Sequence, residues 1–358
     1  MRRRFPDTLS PLEARYAAQK LAFGPMMFQA ARVLRSCGAL EHLRTCGQTG
    51  ASVEELAEAV GLTLYAVRTL TEAGLAAEML LEDSGRFQLT RVGYLVLRDP
   101  MTGVNIDFVH DVCYRPMFHF EQALREARPA GLQEHGDWNT VYEGLSELPE
   151  PIRESWFAFD HFYSDGVFER ALPHVLAQTP ARILDVGGNT GKFAIAVCRA
   201  ACHVNVTIVD LPGQLAVAAE RVASAGFADR VERHAADMLD LRAELPTGHD
   251  AIWMSQFLDC FSEPEIVSIL ARAAAVMTPA ARLYILETYW DRQVHDAARF
   301  SVINTSLYFT AVANGNSKML SADRMRACLD AAGLEIECDI GELGYHTLWR
   351  CRRADHPV

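Results

Sequence analysis

Apolar residues recur at helical spacing from Leu21 to Leu43, which predicts one continuous helix there. The next helix begins at SVEELAEAV, where Ser52 and Glu55 fit the reciprocal capping pattern S-x-x-E, and Gly61 closes it. A third helix is expected over LTLYAVRTLTEAGLA. The stretch AAEMLLEDSGRFQLTRVG then alternates apolar and polar positions around a Ser-Gly turn, the pattern of a two-stranded hairpin. Helices followed by a hairpin form a winged-helix pattern. Residues 104–180 read as helical and densely aromatic, interrupted by a loop at ARPAGLQEHGDW. From Ala181 onward strand-like and helical runs alternate: RILDV, VNVTIV, VERHAA, AIWMS and RLYIL are each followed by a helical or turn segment. Such repeats predict a parallel sheet covered by helices on both faces. The last two strands, LEIECDI and HTLWRCR, are joined too tightly to be parallel.

The fold class expected is therefore α/β. A seven-stranded Rossmann-like sheet with its last strand antiparallel is preceded by an all-helical, winged-helix N-terminal domain. The expected boundaries are 1–103 for the winged-helix domain, 104–180 for a helical linker lining a pocket, and 181–358 for the catalytic sheet. A length of 358 residues suits two or three domains.

Charge narrows the partners. The formal net charge of -12 makes the chain a poor partner for nucleic acid or anionic lipid. Within Leu62–Ala76, where a DNA-reading helix would lie, Arg68 is the sole Lys or Arg. A packing module for dimerisation is the expected role, with a ligand-sensing winged-helix regulator as the rival from another class. The start, MRRRFPDTLS, has no apolar stretch behind its basic residues, and no run nears the roughly 18 residues needed to span a bilayer. No membrane association and a cytoplasmic location are expected. The nine Cys form no C-x-x-C pair and the twelve His show no ligand spacing, so no metal site is expected.

The strongest local signal is Ile183-Leu184-Asp185-Val186-Gly187-Gly188-Asn189-Thr190-Gly191, a buried strand entering a glycine turn that opens a helix. Glycines let a backbone bend tightly and approach a ligand. The spacing is neither G-x-G-x-x-G nor a P-loop, so a phosphate is not the ligand. Asp185 at the strand end suits a cationic amine. Asp210, in Val209-Asp210-Leu211, can take both hydroxyls of a ribose. Asp237 can accept from an adenine amine, with Met238 packing on the ring. Three acids at successive strand ends beside a glycine turn suit a nucleoside with a cationic tail, which is S-adenosylmethionine.

These motifs resemble those of the class I S-adenosylmethionine-dependent O-methyltransferases of the caffeate and hydroxyindole type, along nearly the whole chain. That family joins a winged-helix-like dimerisation domain and a helical linker to a Rossmann-like catalytic domain. LDVGGNTG is similar to its glycine motif, Asp210-Leu211-Pro212 to its acid-Leu-Pro step, and Ala236-Asp237-Met238 to its Gly-Asp-Met/Phe step. The resemblance implies that Gly187, Asp210, Asp237 and Met238 bind the cofactor, and Asp185, Gly188, Leu211 and Ser255 are expected beside them in the same site. It also implies a departure. The family's Leu-His-Asp-Trp, whose His is the general base, is replaced here by Leu258-Asp259-Cys260-Phe261, so Asp259 stands at the His position. Ser255 stands where a Lys is common. Glu287, ending LYILE, matches the family's first supporting Glu, and the second falls at Met319.

Asp259 and Glu287 are accordingly the expected catalytic residues. An ordinary Asp near pKa 3.9 is a weak base for a phenol near 10, and burial would raise it. Asp259 alternatively orients the acceptor for an alignment-driven transfer, or caps the following helix. His161, Phe162, Trp290, Asn304 and Tyr308 are expected to line the acceptor pocket, and Asn314-Gly315-Asn316 to form a turn. The expected activity is methylation of a small phenolic acceptor, free or carrier-bound, by a homodimer of secondary metabolism. O-methylation comes first. Ring C-methylation beside a hydroxyl, and cofactor binding without methyl transfer, remain as alternatives.

Overall fold

The computed structural model describes residues 8–145 and 147–354, with the side chains of Asp165 and Glu342 left aside. The basic start Met1–Asp7 lies outside the described residues. The chain divides into two compact units, Met1–Asp107 and Phe108–Val358.

In the first unit, the helical stretch is in pieces. Helices run over Pro11–Ala22, Gly24–Ser36 and Ala39–Cys46. The single helix expected from Leu21 to Leu43 is thus corrected. Phe23 leaves the helical region between the first two pieces, and Gly38 takes φ 87° between the last two, a backbone that glycine adopts without steric cost. The Ser52–Glu55 capping box forms as expected: Ser52 Oγ accepts from Glu55 N at 3.2 Å, and Glu55 Oε2 accepts from Ser52 N at 2.9 Å. It starts the helix Val53–Val60, which Gly61 ends at φ 67°. The helix Leu64–Ala76 follows. Strands β1 (Leu80–Asp83) and β2 (Arg86–Leu89) form the hairpin, with Ser84 and Gly85 both at positive φ in its turn. Leu34, Leu40, Leu43, Leu56, Val67, Met79 and Phe87 fill one small core. Arg68 reaches Glu54 at 3.8 Å. The first helix buries none of its residues, and Leu12, Tyr16, Leu21, Phe23 and Met26 stay exposed.

The second unit is built on a seven-stranded sheet: β3 (Arg182–Val186), β4 (Asn205–Asp210), β5 (Val231–Ala235), β6 (Ala251–Ser255), β7 (Arg282–Glu287), β8 (Leu334–Leu343) and β9 (His346–Arg353). Their spatial order is β5-β4-β3-β6-β7-β9-β8. β9 pairs antiparallel to both neighbours and the other pairings are parallel, as the sequence predicts. β3, buried from Ile183 to Val186, needs apolar side chains on both faces. Helices Lys192–Ala200 and Pro212–Ser224 cover one face and contribute Val197, Leu215 and Val222 to its core. Helices Glu263–Val276 and Ala322–Ala331 cover the other, through Ile266, Ile269 and Met325.

The order reverses between β3 and β6. In open parallel sheets, ligands bind at such a reversal, outside the carboxyl ends of the strands. Asp185, Asp210, Ser255 and Glu287 all lie at or beside those ends.

Residues 108–176 include the long helix Glu150–Leu176 and a single π turn, Val109–Cys113, and a second π turn, Phe309–Ala313, comes from beyond β7. Together they enclose an aromatic core holding Phe108, Trp156, Tyr308 and Phe309. The loop expected at 127–138 carries a buried 3₁₀ turn, Ala130–Glu134. Gly131 is required there: a Cβ would lie 2.6 Å from Pro116 O and 2.7 Å from Ala311 O.

Candidate active site

The glycine turn after β3 is shaped by close packing. Gly187 has φ 75°, and a Cβ on it would lie 2.2 Å from the ring of Phe257. A Cβ on Gly188 would lie 2.8 Å from Asp185 Oδ2 and from Ile208. Asn189 takes φ 46°, unusual for a residue with a side chain. Asp210 stabilises that strain: its Oδ2 accepts from Asn189 N at 2.8 Å and its Oδ1 from Leu211 N at 2.7 Å. Each carboxylate oxygen keeps a second lone pair. Burial raises the Asp210 carboxyl, and the two amides oppose the rise.

Asp185 is buried, and burial followed by the charge of Asp210 pushes its carboxyl up to about 8. Asp237 is exposed at the rim, with Oδ1 accepting from Leu239 N at 2.8 Å, while Met238 is buried beside it. Ser255 is half-buried at the end of β6.

Around these strand ends, Asp185 Oδ2, Asn189 Oδ1, Ser255 Oγ, Gln256 Nε2 and Glu287 Oε2 are buried without a protein partner. Buried polar atoms are ordinarily hydrogen-bonded. A tight glycine turn flanked by buried acidic, hydroxyl and amide groups without hydrogen-bond partners fits a polar ligand with a cationic tail.

The other end of the strand edge is built around Glu287. Its Oε1 accepts from Phe257 N at 3.1 Å and from Leu258 N at 2.9 Å, which holds the turn after β6 against the end of β7. Gln256, at φ 47°, makes the entry, with its N donating to Leu286 O at 3.0 Å. The turn Leu258–Cys260 then carries Asp259 beside Glu287, both buried.

Burial raises both carboxyls. Asp259 is pushed up to about 6, and the Asp259 charge lifts Glu287 further. Two buried carboxyls so placed take up and release protons as a pair. The expectation that Asp259 caps the next helix is corrected: Ser262 is the N-cap and forms the capping box with Glu265.

Cys260 joins Asp259 to the aromatic core. Its Sγ donates to Asp259 Oδ1 at 3.5 Å, and it shares a side-chain hydrogen bond with Tyr142. Asn314 Nδ2 donates to Cys260 O, and Asn314 Oδ1 accepts from Ser317 Oγ at 2.9 Å, so the expected turn at 314–316 also clamps the Asp259 turn. Tyr308 is buried, and its hydroxyl accepts from Trp156 Nε1 at 2.6 Å. Phe108 stacks on Phe159 at 4.0 Å.

The expected lining residues divide. Tyr308 and Trp290 join the aromatic core. His161 is half-buried, stacked on Phe157 at 5.6 Å with Nδ1 3.6 Å from Asp160. Phe162 packs edge-on against Tyr163. Asn304 is not brought in with them: it is exposed and its Nδ2 donates to Phe300 O at 2.8 Å, on the outer side of its own helix. Met319, at the position of the family's second acid, is buried in the aromatic core. Sequence reasoning missed Gln256, which carries no local signal. Tyr142 and Trp156 enter it only through the aromatic density of 104–180, and Phe257 only as an apolar neighbour that would raise Asp259.

Comparison with known proteins agrees with this fold. Residues 15–87 match a model described as a Dimerisation2-like domain, and residues 166–335 match one described as an O-methyltransferase domain. The 3-hydroxy-5-methyl-1-naphthoate 3-O-methyltransferase of Streptomyces sahachiroi is 30% identical over 67% of this chain and 68% of its own length. The L-tyrosine C(3)-methyltransferase of Streptomyces lavendulae is 24% identical over 93% of this chain and 90% of its own. Among solved structures, the S-adenosylmethionine-dependent methyltransferase SibL superposes with a TM-score of 0.69 at 25% identity, covering 94% of this chain and 99% of that one.

Proposed function

This chain belongs to the S-adenosylmethionine-dependent O-methyltransferase family, and we propose that within it the enzyme methylates the hydroxyl of a small aromatic acceptor, using Asp259 and Glu287 in place of a histidine base. When bound, S-adenosylmethionine supplies a methyl group on a cationic sulfur, which an aligned nucleophile displaces without further activation of the donor.

The residues divide the work by position. Asp185 faces the cationic amine of the cofactor, and Asp210 takes the ribose hydroxyls with its remaining lone pairs. Asp237 and Met238 hold the adenine by its amine and its face. Gly187 and Gly188 let the turn close tightly against Phe257, Asp185 and Ile208, and Ser255 adds a hydroxyl at the reversal of strand order. At the other end, Tyr308, Trp290, His161 and Phe162 flank a flat acceptor. Asp259 takes the hydroxyl proton as the oxygen attacks. Glu287 holds the Asp259 turn through Phe257 N and Leu258 N and shares the remaining proton. The carrying observation is the pair of buried, raised carboxyls at the β6–β7 edge, where an ionised Asp259 near neutral pH is a stronger base than an ordinary Asp.

A second reading, methylation of a ring carbon beside a hydroxyl, is favoured by the loss of the histidine and by the likeness along 93% of the chain to a C(3)-methyltransferase. In that chemistry too the hydroxyl proton must leave. Incubation with methyl-labelled cofactor and a panel of hydroxylated aromatics, free and carrier-bound, tests both readings. A product that has lost its free phenol is O-methylated, and one that keeps it is C-methylated. No label on any acceptor would sink both.

We further propose that the enzyme works as a cytoplasmic homodimer, with 1–103 as the dimerising domain and 104–180 as the acceptor wall. Support comes from the match at 15–87 and the exposed apolar side chains of Leu12, Tyr16, Leu21 and Met26. None of the described helices is long and apolar enough to cross a membrane. A monomer by light scattering at micromolar concentration would refute the assembly.

A further inference from the structure

We infer that the acceptor meets the Asp259–Glu287 pair with an uncharged hydrogen-bond donor, a hydroxyl or an amine, and that an ionised carboxylate on the adjacent ring position is rejected. The inference rests on the methyl-transfer reading above and narrows its substrate class.

Three observations carry it. First, Glu287 Oε2 is buried in a residue only 2% exposed and has no hydrogen-bond partner, while the turn amides of Phe257, Leu258 and Asp259 act on the same carboxyl. A carboxyl oxygen so placed, ionised or sharing a proton, is satisfied by a neutral group that can both donate and accept, as a hydroxyl does. Second, among the described residues, the side chains hydrogen-bonded to or stacked at this turn are uncharged. Cys260 Sγ lies on Asp259, Tyr142 hydrogen-bonds Cys260, Asn314 clamps the turn, and Phe257 and Phe261 close it at 4.9 Å from each other. Third, burial raises Tyr142, Cys260 and Tyr308, and neighbouring acids raise them further: Asp259 acts on Tyr142 and Cys260, Glu287 on Cys260, and Asp160 on Tyr308. A donor group adds hydrogen bonds to this corner without adding charge. An anion beside it meets a like charge in a site that water does not screen, where Coulomb repulsion is far stronger than in bulk solvent. An aromatic acid could satisfy the donor requirement through its hydroxyl and still be excluded by its carboxylate.

The test uses a matched pair of probes, 3-hydroxy-2-naphthamide and 3-hydroxy-2-naphthoate, which share shape and hydroxyl position and differ in charge. Binding to the full-length protein is measured by calorimetry with S-adenosylhomocysteine present, and transfer is followed separately with methyl-labelled cofactor. The amide is expected to bind at least tenfold more tightly than the carboxylate. In Asp259→Asn, and independently in Glu287→Gln, which keeps an oxygen for the turn amides, the ratio should shrink at least threefold. A carboxylate that binds within twofold of the amide overturns the inference, as does a ratio unchanged in both variants. If the amide binds with the expected preference but accepts no label while other hydroxylated aromatics do, the inference stands and the naphthamide is simply misaligned for transfer. If no hydroxylated aromatic accepts label, the methyl-transfer reading fails although the charge preference holds.

Discussion

The two ends of the strand edge use acids in opposite ways. At the β3–β5 end, Asp185, Asp210 and Asp237 stand one to a strand, and Asp210 and Asp237 are partly committed to backbone amides of their own loops. Spread out in this way, each can address a different group of one extended ligand. At the β6–β7 end, Asp259 and Glu287 are buried against each other, and their mutual repulsion adds to the effect of burial. On the proposed reading the first set serves recognition and the second serves proton transfer, and the difference is one of degree, since the charge of Asp210 also raises Asp185. Substitutions at the two ends should therefore fail in different ways.

The largest effect is expected from Asp259→Asn, which keeps the shape and removes the base. Turnover should fall by about 10²–10⁴-fold, the usual worth of general-base catalysis. Cofactor affinity measured by calorimetry should stay within twofold, and a loss under tenfold in turnover would leave Asp259 as an orienting group.

Asp210→Ala should do the reverse. It removes charge-assisted hydrogen bonds worth about 1.5–3 kcal/mol each, so cofactor affinity should drop at least tenfold in a protein whose circular dichroism is unchanged. Unaltered affinity would remove Asp210 from the cofactor site.

A smaller effect separates the ends by pH. With its carboxyl pushed up to about 8, Asp185 is protonated in the free protein at pH 7. A cationic cofactor favours the ionised form, so binding should release a proton, and affinity should rise with pH from 5.5 to 7 by up to tenfold per unit. That window lies below the titration of the cofactor's own α-amino group, near 7.7–8.0. Calorimetry in buffers of different ionisation enthalpy reads the released proton, and Asp185→Asn should abolish it.

The smallest contrast lies within one helix, Asp296–Tyr308. Tyr308→Phe leaves Trp156 Nε1 buried without its acceptor, a loss of about 1–3 kcal/mol that should lower the melting temperature and weaken acceptor binding. Asn304→Ala, on the exposed side, should change turnover by less than twofold.

These contrasts also mark what the sequence makes legible. In a parallel sheet every strand delivers its carboxyl end to the same edge, so a glycine turn and acids at successive strand ends mark the candidate cofactor end from local sequence alone. The Ser52–Glu55 cap is legible for the same reason, because both partners lie within one helical turn. The acceptor end is assembled from distant segments. Trp156 and Tyr308 meet across 152 positions, and Asn314 reaches Cys260 across 54. The left-handed backbone of Gln256 is stabilised by Leu286 O at the end of the neighbouring strand, which no pattern around Gln256 announces. Asn304 shows the limit in the other direction. Its place four residues before Tyr308 is compatible with the same wall, yet its side chain turns back onto Phe300 O.

The pH profile of methyl transfer under single-turnover conditions, with saturating cofactor, tests the central claim most directly. In the native enzyme the rate should fall as pH drops through about 6, where Asp259 takes up a proton and can no longer accept one from the acceptor. In Asp259→Asn the residual rate should be flat across that window. The same falling limb in Asp259→Asn would mean that another group, such as His161, carries the titration, and would contradict the account.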